Sequence, residues 1–191
     1  ETGKALSDNG MSEEAYRLLQ YEGYPSWLYP VKNGATTIWE RLNSYTVKDG
    51  FGENNSMNSF NHYSFGAVAS WMYNYSLGIC RDEKSPGFKH FILKPEVDPT
   101  RGITHAEGYY DSMYGRIRSR WQYTDSGIRY EFTVPANTTA SLYLPAPAVS
   151  FISENGKPLK KASGVRYVSA DKELHHLELA SGSYQFDIKQ K

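Results

Sequence analysis

The second half of the chain alternates apolar and polar residues with the period of a β-strand. Residues 116–123, RIRSRWQY, place three arginines and a glutamine on one face and Ile117, Ser119, Trp121 and Tyr123 on the other. Because successive side chains of a strand point to opposite faces, this pattern predicts a half-buried strand. GIRYEFTVP repeats the pattern, and the intervening TDSG suits a hairpin turn.

Other short extended runs lie on either side of this hairpin. An apolar run opens with SPGFKHFILKPEVDP, and the later runs are ASLYLP, FISENGKPL, VRYVSA, HHLELA and SYQFDIK. Turn-forming residues separate them at intervals of roughly 8–12 residues, which is typical of an antiparallel sandwich. We therefore expect residues 87–191 to form an antiparallel β-sandwich domain.

The first half of the chain shows helical spacing and long irregular loops instead. Ser12 suits the N-cap position of a helix over SEEAYRLLQ, whose first turn carries two glutamates. Residues 61–78 predict a longer helix, with apolar side chains at i, i+3, i+4 and i+7 from Phe65. Trp71 lies on another face of that helix and is predicted to be core, while Gly78 suits its C-terminal stop.

Two or three short amphipathic helices cannot cover all of their own apolar faces. The first half is therefore predicted to be one end of a larger helical domain. On this interpretation the domains are residues 1–86, which are helical, and residues 87–191, which are sheet.

Composition and charge exclude several classes of function. Lys plus Arg and Asp plus Glu each total 21, so the chain lacks the basic footprint of a nucleic-acid-binding protein. No apolar run approaches the roughly 20 residues that a membrane span needs. Cys80 is the single cysteine, and adjacent His175 and His176 would point to opposite faces of a strand, so no shared metal ion is expected. We predict no metal, no organic cofactor, no nucleic-acid partner and no membrane partner.

Aromatic residues form 15 % of the chain and crowd around one carboxylate. Trp27, Tyr29 and Trp39 precede Glu40 within fourteen positions. Tyrosine and tryptophan combine a flat apolar face with one polar group, which suits hydroxylated ligands, although the same rings also fill protein cores. Glycoside hydrolysis uses two carboxyl groups that flank the scissile bond. Glu40 is therefore a candidate catalytic base; the alternative is a structural ion pair with an Arg or Lys.

Four motifs in this order resemble the C-terminal part of the bacterial α-L-rhamnosidases, glycoside hydrolase family 78. They are PSWLYPVKNGATTIWERL, SFNHYSFGAVASWMYNYSLGI, PGFKHFILKP and YDSMYGRIRSRW. The resemblance runs from about residue 10 to the end of the chain. It implies the end of an (α/α)6 catalytic barrel in residues 1–86 followed by a C-terminal β-sandwich, in an inverting enzyme that removes terminal α-L-rhamnose.

The resemblance also implies roles for individual residues. Glu40, in the family's TT-x-WER motif, corresponds to the general base. Trp39 corresponds to a wall of the rhamnose pocket, and His62, in the NHY motif, corresponds to a sugar contact. Trp27 is a further candidate for the pocket, with packing between helices as the open alternative.

The family's general acid belongs to an acidic motif upstream of this region, and these 191 residues contain no such motif. The resemblance thus implies a C-terminal fragment that carries half of an active site, packs against the N-terminal part of its parent enzyme and is inactive alone. Its substrate would be a rhamnosylated glycan or glycoside. A periplasmic or extracellular bacterial location is favoured, although ETGKALSDNG contains no signal core. A carbohydrate-binding or purely structural sandwich remains the alternative.

Overall fold

The computed structural model describes residues 2–52 and 56–189, which divide into two compact units. The helical unit comprises the chain up to Trp71 together with Asp98–Gly102. The sheet unit comprises Met72–Val97 and Ile103–Lys191. In the described part of the chain, no helix combines the length and apolar character that a bilayer crossing requires. The units divide between Trp71 and Met72, whereas the domain boundary was predicted near residue 86. The domain boundary itself stays a prediction.

Short helices joined by irregular loops make up the helical unit. They are α1 (Thr2–Asp8), α2 (Ser12–Gln20), α3 (Leu28–Lys32), a 3-10 turn (Ser64–Ala67) and α4 (Val68–Trp71). Helix α2 begins one residue earlier than predicted, because Met11 instead of Ser12 occupies the N-cap position, without a side-chain cap. The Ser12 hydroxyl donates instead to the Ser7 hydroxyl at 2.8 Å, which ties α2 to α1.

The small core of the helical unit forms around two aromatic rings. Tyr16 is fully buried, and its ring meets Trp71 edge-on with centroids 5.0 Å apart. The Trp71 indole N–H donates to the Ser7 hydroxyl at 2.9 Å. Trp71 is 4 % exposed, so its predicted place in the core is confirmed. Buried Asp98 fastens the returning loop by accepting a 2.9 Å hydrogen bond from the Gln20 amide on α2.

Two sheets make up the rest of the molecule. One has five strands in the order β1-β2-β6-β10-β9, and the other has six in the order β3-β4-β5-β11-β7-β8. The strands are β1 (Ile79–Arg81), β2 (His90–Leu93), β3 (His105–Ser112), β4 (Gly115–Thr124), β5 (Gly127–Val134), β6 (Thr139–Pro145), β7 (Ile152–Glu154), β8 (Lys157–Pro158), β9 (Val165–Asp171), β10 (Leu174–Leu179) and β11 (Gly182–Lys189). Pairing is antiparallel except between β2 and β6, which run parallel.

The alternation that predicted β4 and β5 is confirmed by their burial. Ile117, Ser119 and Trp121 are inaccessible to solvent, whereas the arginines between them are exposed or half-buried. Tyr130 and Phe132 cover the same side of β5. Thr124 pairs with Gly127 across the predicted two-residue turn. Burial of each large apolar side chain contributes about 1.5–3 kcal/mol, so this alternating face forms the centre of the sheet unit.

The helix predicted over residues 61–78 is confirmed only in part. Helical turns run without interruption from Ser64 to Ser76, but they are the 3-10 turn, α4 and a π-helical turn over Met72–Ser76 instead of one regular α-helix. In the π turn the Leu77 amide donates to the Met72 carbonyl at 2.8 Å, one residue beyond the α-helical spacing. The predicted apolar face is not uniformly buried either, since Phe65 is half-buried and Met72 is 39 % exposed.

Hydrogen bonds from β4 explain the end of this helical stretch. The Trp121 indole donates to the Ser76 carbonyl at 2.8 Å, and the Ser119 hydroxyl donates to the Leu77 carbonyl at 2.6 Å. Carbonyls at a helix end have no partner within the helix, so these donors satisfy them. Gly78 then leaves the helix at φ +66°, where an added Cβ would lie 2.1 Å from the Lys94 carbonyl carbon. The predicted stop at Gly78 is therefore confirmed.

Candidate active site

Two loop segments that are distant in sequence meet in the helical unit: residues 37–41 and residues 56–62. We call them the paired segments. The Glu40 amide donates to the Ser59 carbonyl at 2.8 Å, and the His62 amide donates to the Ile38 carbonyl at 2.8 Å. The β-branched residues before Glu40 predict an extended stretch, and this stretch does make strand-like backbone bonds, although it lies outside every strand. The WER and NHY motifs thus lie side by side.

The Glu40 carboxylate is half-buried and anchored at one oxygen. Its Oε2 accepts a hydrogen bond from the Ser59 amide at 2.7 Å. Within residues 2–52 and 56–189, Glu40 forms no ion pair, and its Oε1 accepts no hydrogen bond. The structural ion pair considered for Glu40 is therefore not found among these residues. A carboxylate with one fixed and one open oxygen has the form required of a general base, which must reach the proton that it removes.

Trp39 anchors the segment that carries Glu40. Its side chain is 6 % exposed and meets Phe60 edge-on with centroids 5.2 Å apart. Tyr45 contacts Trp39 at 6.5 Å, and Phe51 extends the cluster by contacting both Tyr45 and Phe60. Edge-to-face pairs of this kind add about 0.5–1.5 kcal/mol each beyond the area that they bury. The aromatic cluster therefore fixes the direction in which the next residue, Glu40, leaves the chain.

His62 lies on the opposite paired segment. Its ring stacks on Tyr63 with centroids 5.6 Å apart and an interplanar angle of 6°. Its Nδ1 accepts a 3.4 Å hydrogen bond from the Ser64 amide. A neutral imidazole that accepts at Nδ1 carries its proton on Nε2, so Nε2 is the nitrogen that can donate to a hydroxyl. The ring of Tyr63 is 88 % exposed and extends this flat surface.

Trp27 is joined to a different part of the loop. Its indole N–H donates to the Phe65 carbonyl at 2.9 Å, and the side chain is half-buried. The single polar group of Trp27 is thus used within the protein, which agrees with a packing role. Within the described residues, no group of three or more His, Cys, Asp or Glu side chains is placed to hold a metal ion.

Three contributors to the site could not be identified from the sequence. The Ser59 contact uses a backbone amide, which every residue except proline has. Thr37 and Arg41 contact the opposite segment through its carbonyls. Backbone partners carry no residue signature, so no sequence signal could have identified these contacts.

Comparison with known proteins identifies the family of the chain. Residues 2–76 match the family model described as bacterial alpha-L-rhamnosidase 6 hairpin glycosidase domain, and residues 78–158 match the bacterial alpha-L-rhamnosidase C-terminal domain. An alpha-L-rhamnosidase of Streptomyces avermitilis is 34 % identical over 96 % of the chain, and one of Alteromonas sp. is 36 % identical over 96 %. The chain spans only 16 % and 18 % of these two relatives.

The fold is similar to that of a solved structure as well. The Streptomyces avermitilis α-L-rhamnosidase, determined in complex with L-rhamnose, superposes with a TM-score of 0.85 at 33 % identity, over 98 % of this chain and 17 % of that one. These matches place the chain among the glycosidases. More narrowly, it belongs to the bacterial α-L-rhamnosidase family and corresponds to part of the glycosidase domain together with the C-terminal domain.

Proposed function

We propose that the chain is part of an inverting α-L-rhamnosidase in which Glu40 is the general base. The observation that carries the proposal is the Glu40 carboxylate, held at Oε2 by the Ser59 amide, while Oε1 accepts no hydrogen bond from residues 2–52 or 56–189. It lies in a chain whose relatives are named α-L-rhamnosidases, one of them solved with L-rhamnose bound. We infer that the substrate is a glycoside or glycan with a terminal α-L-rhamnose.

In this mechanism Oε1 of Glu40 takes a proton from a water molecule. The water attacks the anomeric carbon from the face opposite the departing group, so the configuration inverts. A carboxylic acid elsewhere in the parent enzyme protonates the leaving oxygen, about 6.5–9.5 Å from the base. The 191-residue chain alone is therefore expected to be inactive.

The neighbouring residues would bind and orient the sugar. His62 would donate from Nε2 to a ring hydroxyl, with its ring supported by Tyr63. Trp39 would border the rhamnose through the small part of its ring that the aromatic cluster leaves uncovered. Trp27 would support the loop rather than contact the sugar, because its N–H is already bonded to Phe65. We assign residues 1–86 to the end of an (α/α)6 barrel and residues 87–191 to the sandwich.

Replacement of Glu40 by glutamine in the full-length parent enzyme tests the proposal. General-base catalysis is worth about 10²–10⁴-fold, so kcat should fall by that factor with little change in KM. Glu22→Gln is the matched control, since Glu22 lies in the same unit and pairs with Lys32 at an exposed position. Turnover of Glu40→Gln within a few-fold of wild type would overturn the base assignment. NMR detection of the first-formed sugar as the retained anomer would overturn inversion.

A further inference from the structure

Three side chains of the TTIWER motif hold the opposite paired segment. Thr37 donates through its hydroxyl, Glu40 accepts through Oε2, and Arg41 donates through Nη2. Their hydrogen bonds include contacts to backbone groups of residues 56–60: the carbonyls of Ser56 (2.5 Å), Met57 (2.9 Å) and Phe60, and the amide of Ser59 (2.7 Å).

The spacing of these contacts matters more than their number. Arg41 holds the carbonyl of Met57 on one side of Ser59, and Thr37 holds the carbonyl of Phe60 on the other. The peptide unit that carries the Ser59 N–H lies between the Met57 carbonyl, held by Arg41, and the Ser59 carbonyl, held by the Glu40 amide, and Thr37 holds the next carbonyl along the chain. These contacts restrict rotation of the Ser59 N–H away from Glu40. A guanidinium suits this task, because its planar fork can donate to two acceptors at once.

A second set of hydrogen bonds, between Ser44 and Asn58, also holds the 56–62 segment. Ser44 is 2 % exposed, and its hydroxyl donates to the Asn58 side-chain oxygen. The Asn58 amide donates back to the Ser44 carbonyl at 3.3 Å. The residue immediately before Ser59 is thus fixed through its side chain, so the anchoring of the segment does not depend on Arg41 and Thr37 alone.

We propose that Thr37 and Arg41 are positioning residues for the catalytic base: by holding the carbonyls on both sides of Ser59, they direct its amide at Oε2 and so aim Oε1 of Glu40 at the attacking water. The inference rests on the proposed function. The same contacts set His62 in register with Glu40, since the His62 amide bonds to Ile38 beside them.

The chain offers a closely matched test in its two adjacent threonines. Thr37 bonds to Phe60, whereas Thr36 is exposed and makes no hydrogen bond within the described residues. In the full-length parent enzyme, Thr37→Val should lower kcat by about 2- to 10-fold, the equivalent of one hydrogen bond, with KM unchanged. Thr36→Val should keep wild-type kcat, and Thr37→Ser, which retains the hydroxyl, should restore most of the loss.

Activity is measured per folded enzyme, with circular dichroism and Tm recorded for each variant. A merely structural threonine would lower Tm and leave kcat intact. Wild-type kcat for folded Thr37→Val, or an equal loss for Thr36→Val, would therefore overturn the role of Thr37.

Arg41 is tested separately through its coupling to Glu40. Arg41→Met removes charge-assisted hydrogen bonds and should lower kcat by about 10- to 100-fold, with Arg41→Lys intermediate. If Arg41 acts through Glu40, Arg41→Met should change the residual turnover of Glu40→Gln by less than about two-fold. If Arg41→Met lowered the turnover of Glu40→Gln by the same factor as it lowers that of the wild type, the proposal would be overturned.

The same series separates the two hypotheses. If Glu40→Gln keeps normal turnover, the proposed base itself fails. If Glu40→Gln is inactive while folded Thr37→Val and Arg41→Met keep normal kcat, the base stands and the positioning roles fail.

Discussion

The sheet unit and the helical unit are stabilised in different ways. Large side chains in the sheet unit, such as Trp121, Tyr130 and Phe186, are inaccessible to solvent, and among the described residues only Tyr16 of the helical unit belongs to the same group of large, fully buried side chains. Val47, Met57 and Tyr63 of the helical unit are 76–88 % exposed. Its loops are held by specific hydrogen bonds around Glu40 instead of by a large core. The comparison teaches that the candidate active site lies in loops that are held by specific hydrogen bonds and one aromatic cluster, whereas the sheet unit is held by a buried core, as expected for functional loops.

The largest expected effect is the loss of unfolding free energy when a core tryptophan of the sheet unit is replaced. A tryptophan of the helical unit serves as the matched comparison. Trp121 and Trp27 both donate their indole N–H to a backbone carbonyl, at 2.8 and 2.9 Å, but only Trp121 is fully buried. Trp121→Ala should lower the free energy of unfolding by about 3–5 kcal/mol. Trp27→Ala should lower it by about 1 kcal/mol, the value of its hydrogen bond. Urea unfolding followed by circular dichroism measures both, and equal losses would contradict the comparison.

Two glycines with nearly the same backbone conformation separate crowding from strain. Gly78 of the sheet unit has φ +66°, and an added Cβ would meet the Lys94 backbone at 2.1 Å. Gly50 of the helical unit has φ +61°, and an added Cβ would meet no atom of the described residues within 4 Å. Gly50→Ala should destabilise the protein by about 1–2 kcal/mol through left-handed strain alone. Gly78→Ala adds the clash and should destabilise it by about 2–5 kcal/mol. Similar Tm values for the two variants would show that the backbone at Gly78 accommodates the added Cβ without further loss of stability.

The smallest effect concerns the exposed charges of the sheet unit. The Arg118 guanidinium donates to Glu107 and lowers the pKa of that carboxyl below its ordinary value. Because the folded pKa is lower than the unfolded one, this contact stabilises the protein above the unfolded pKa of about 4.3 and is lost as the pH falls through the folded pKa. Glu107→Gln should therefore flatten the acid side of the stability curve slightly, because the pair is exposed to solvent.

The measurement is the urea midpoint of wild type and variant between pH 2.5 and 7. Glu83→Gln is the control, since Glu83 is exposed and bonds to no described residue. An acid limb that is identical in wild type and Glu107→Gln would mean that the Arg118 contact contributes nothing to folding.

Prediction of strands β4 and β5 followed their burial pattern, whereas β9, also predicted, is almost wholly exposed. Strands β4 and β5 were predicted because one face of each is buried and the other solvated, so that apolar and polar residues alternate along the sequence. Strand β3 carries no such signal, since it is exposed or half-buried along its length. The helix over residues 61–78 was predicted without its 3-10 and π turns, and the Trp121 and Ser119 donors that bond the carbonyls at its end lie on a strand far along the chain.

The residues proposed for the site came from the sequence, whereas the contacts that hold them came from the structure. Glu40, Trp39 and His62 were identified through the motif resemblance, and the fold brings their two segments together. The roles of Ser59, Thr37 and Arg41 followed only from the structure, because each contact uses a backbone group on at least one side.

The sequence by itself determined the two-part organisation, the strands of the sheet core, the Gly78 turn and the residue types available for chemistry. These depend on side-chain periodicity and on local backbone preference, both of which a single stretch of chain displays. The tertiary structure alone decided the π turn, the parallel pairing of β2 with β6 and the bond between Ser59 and Glu40. Each depends on which backbone groups meet, and backbone groups are the same in almost every residue.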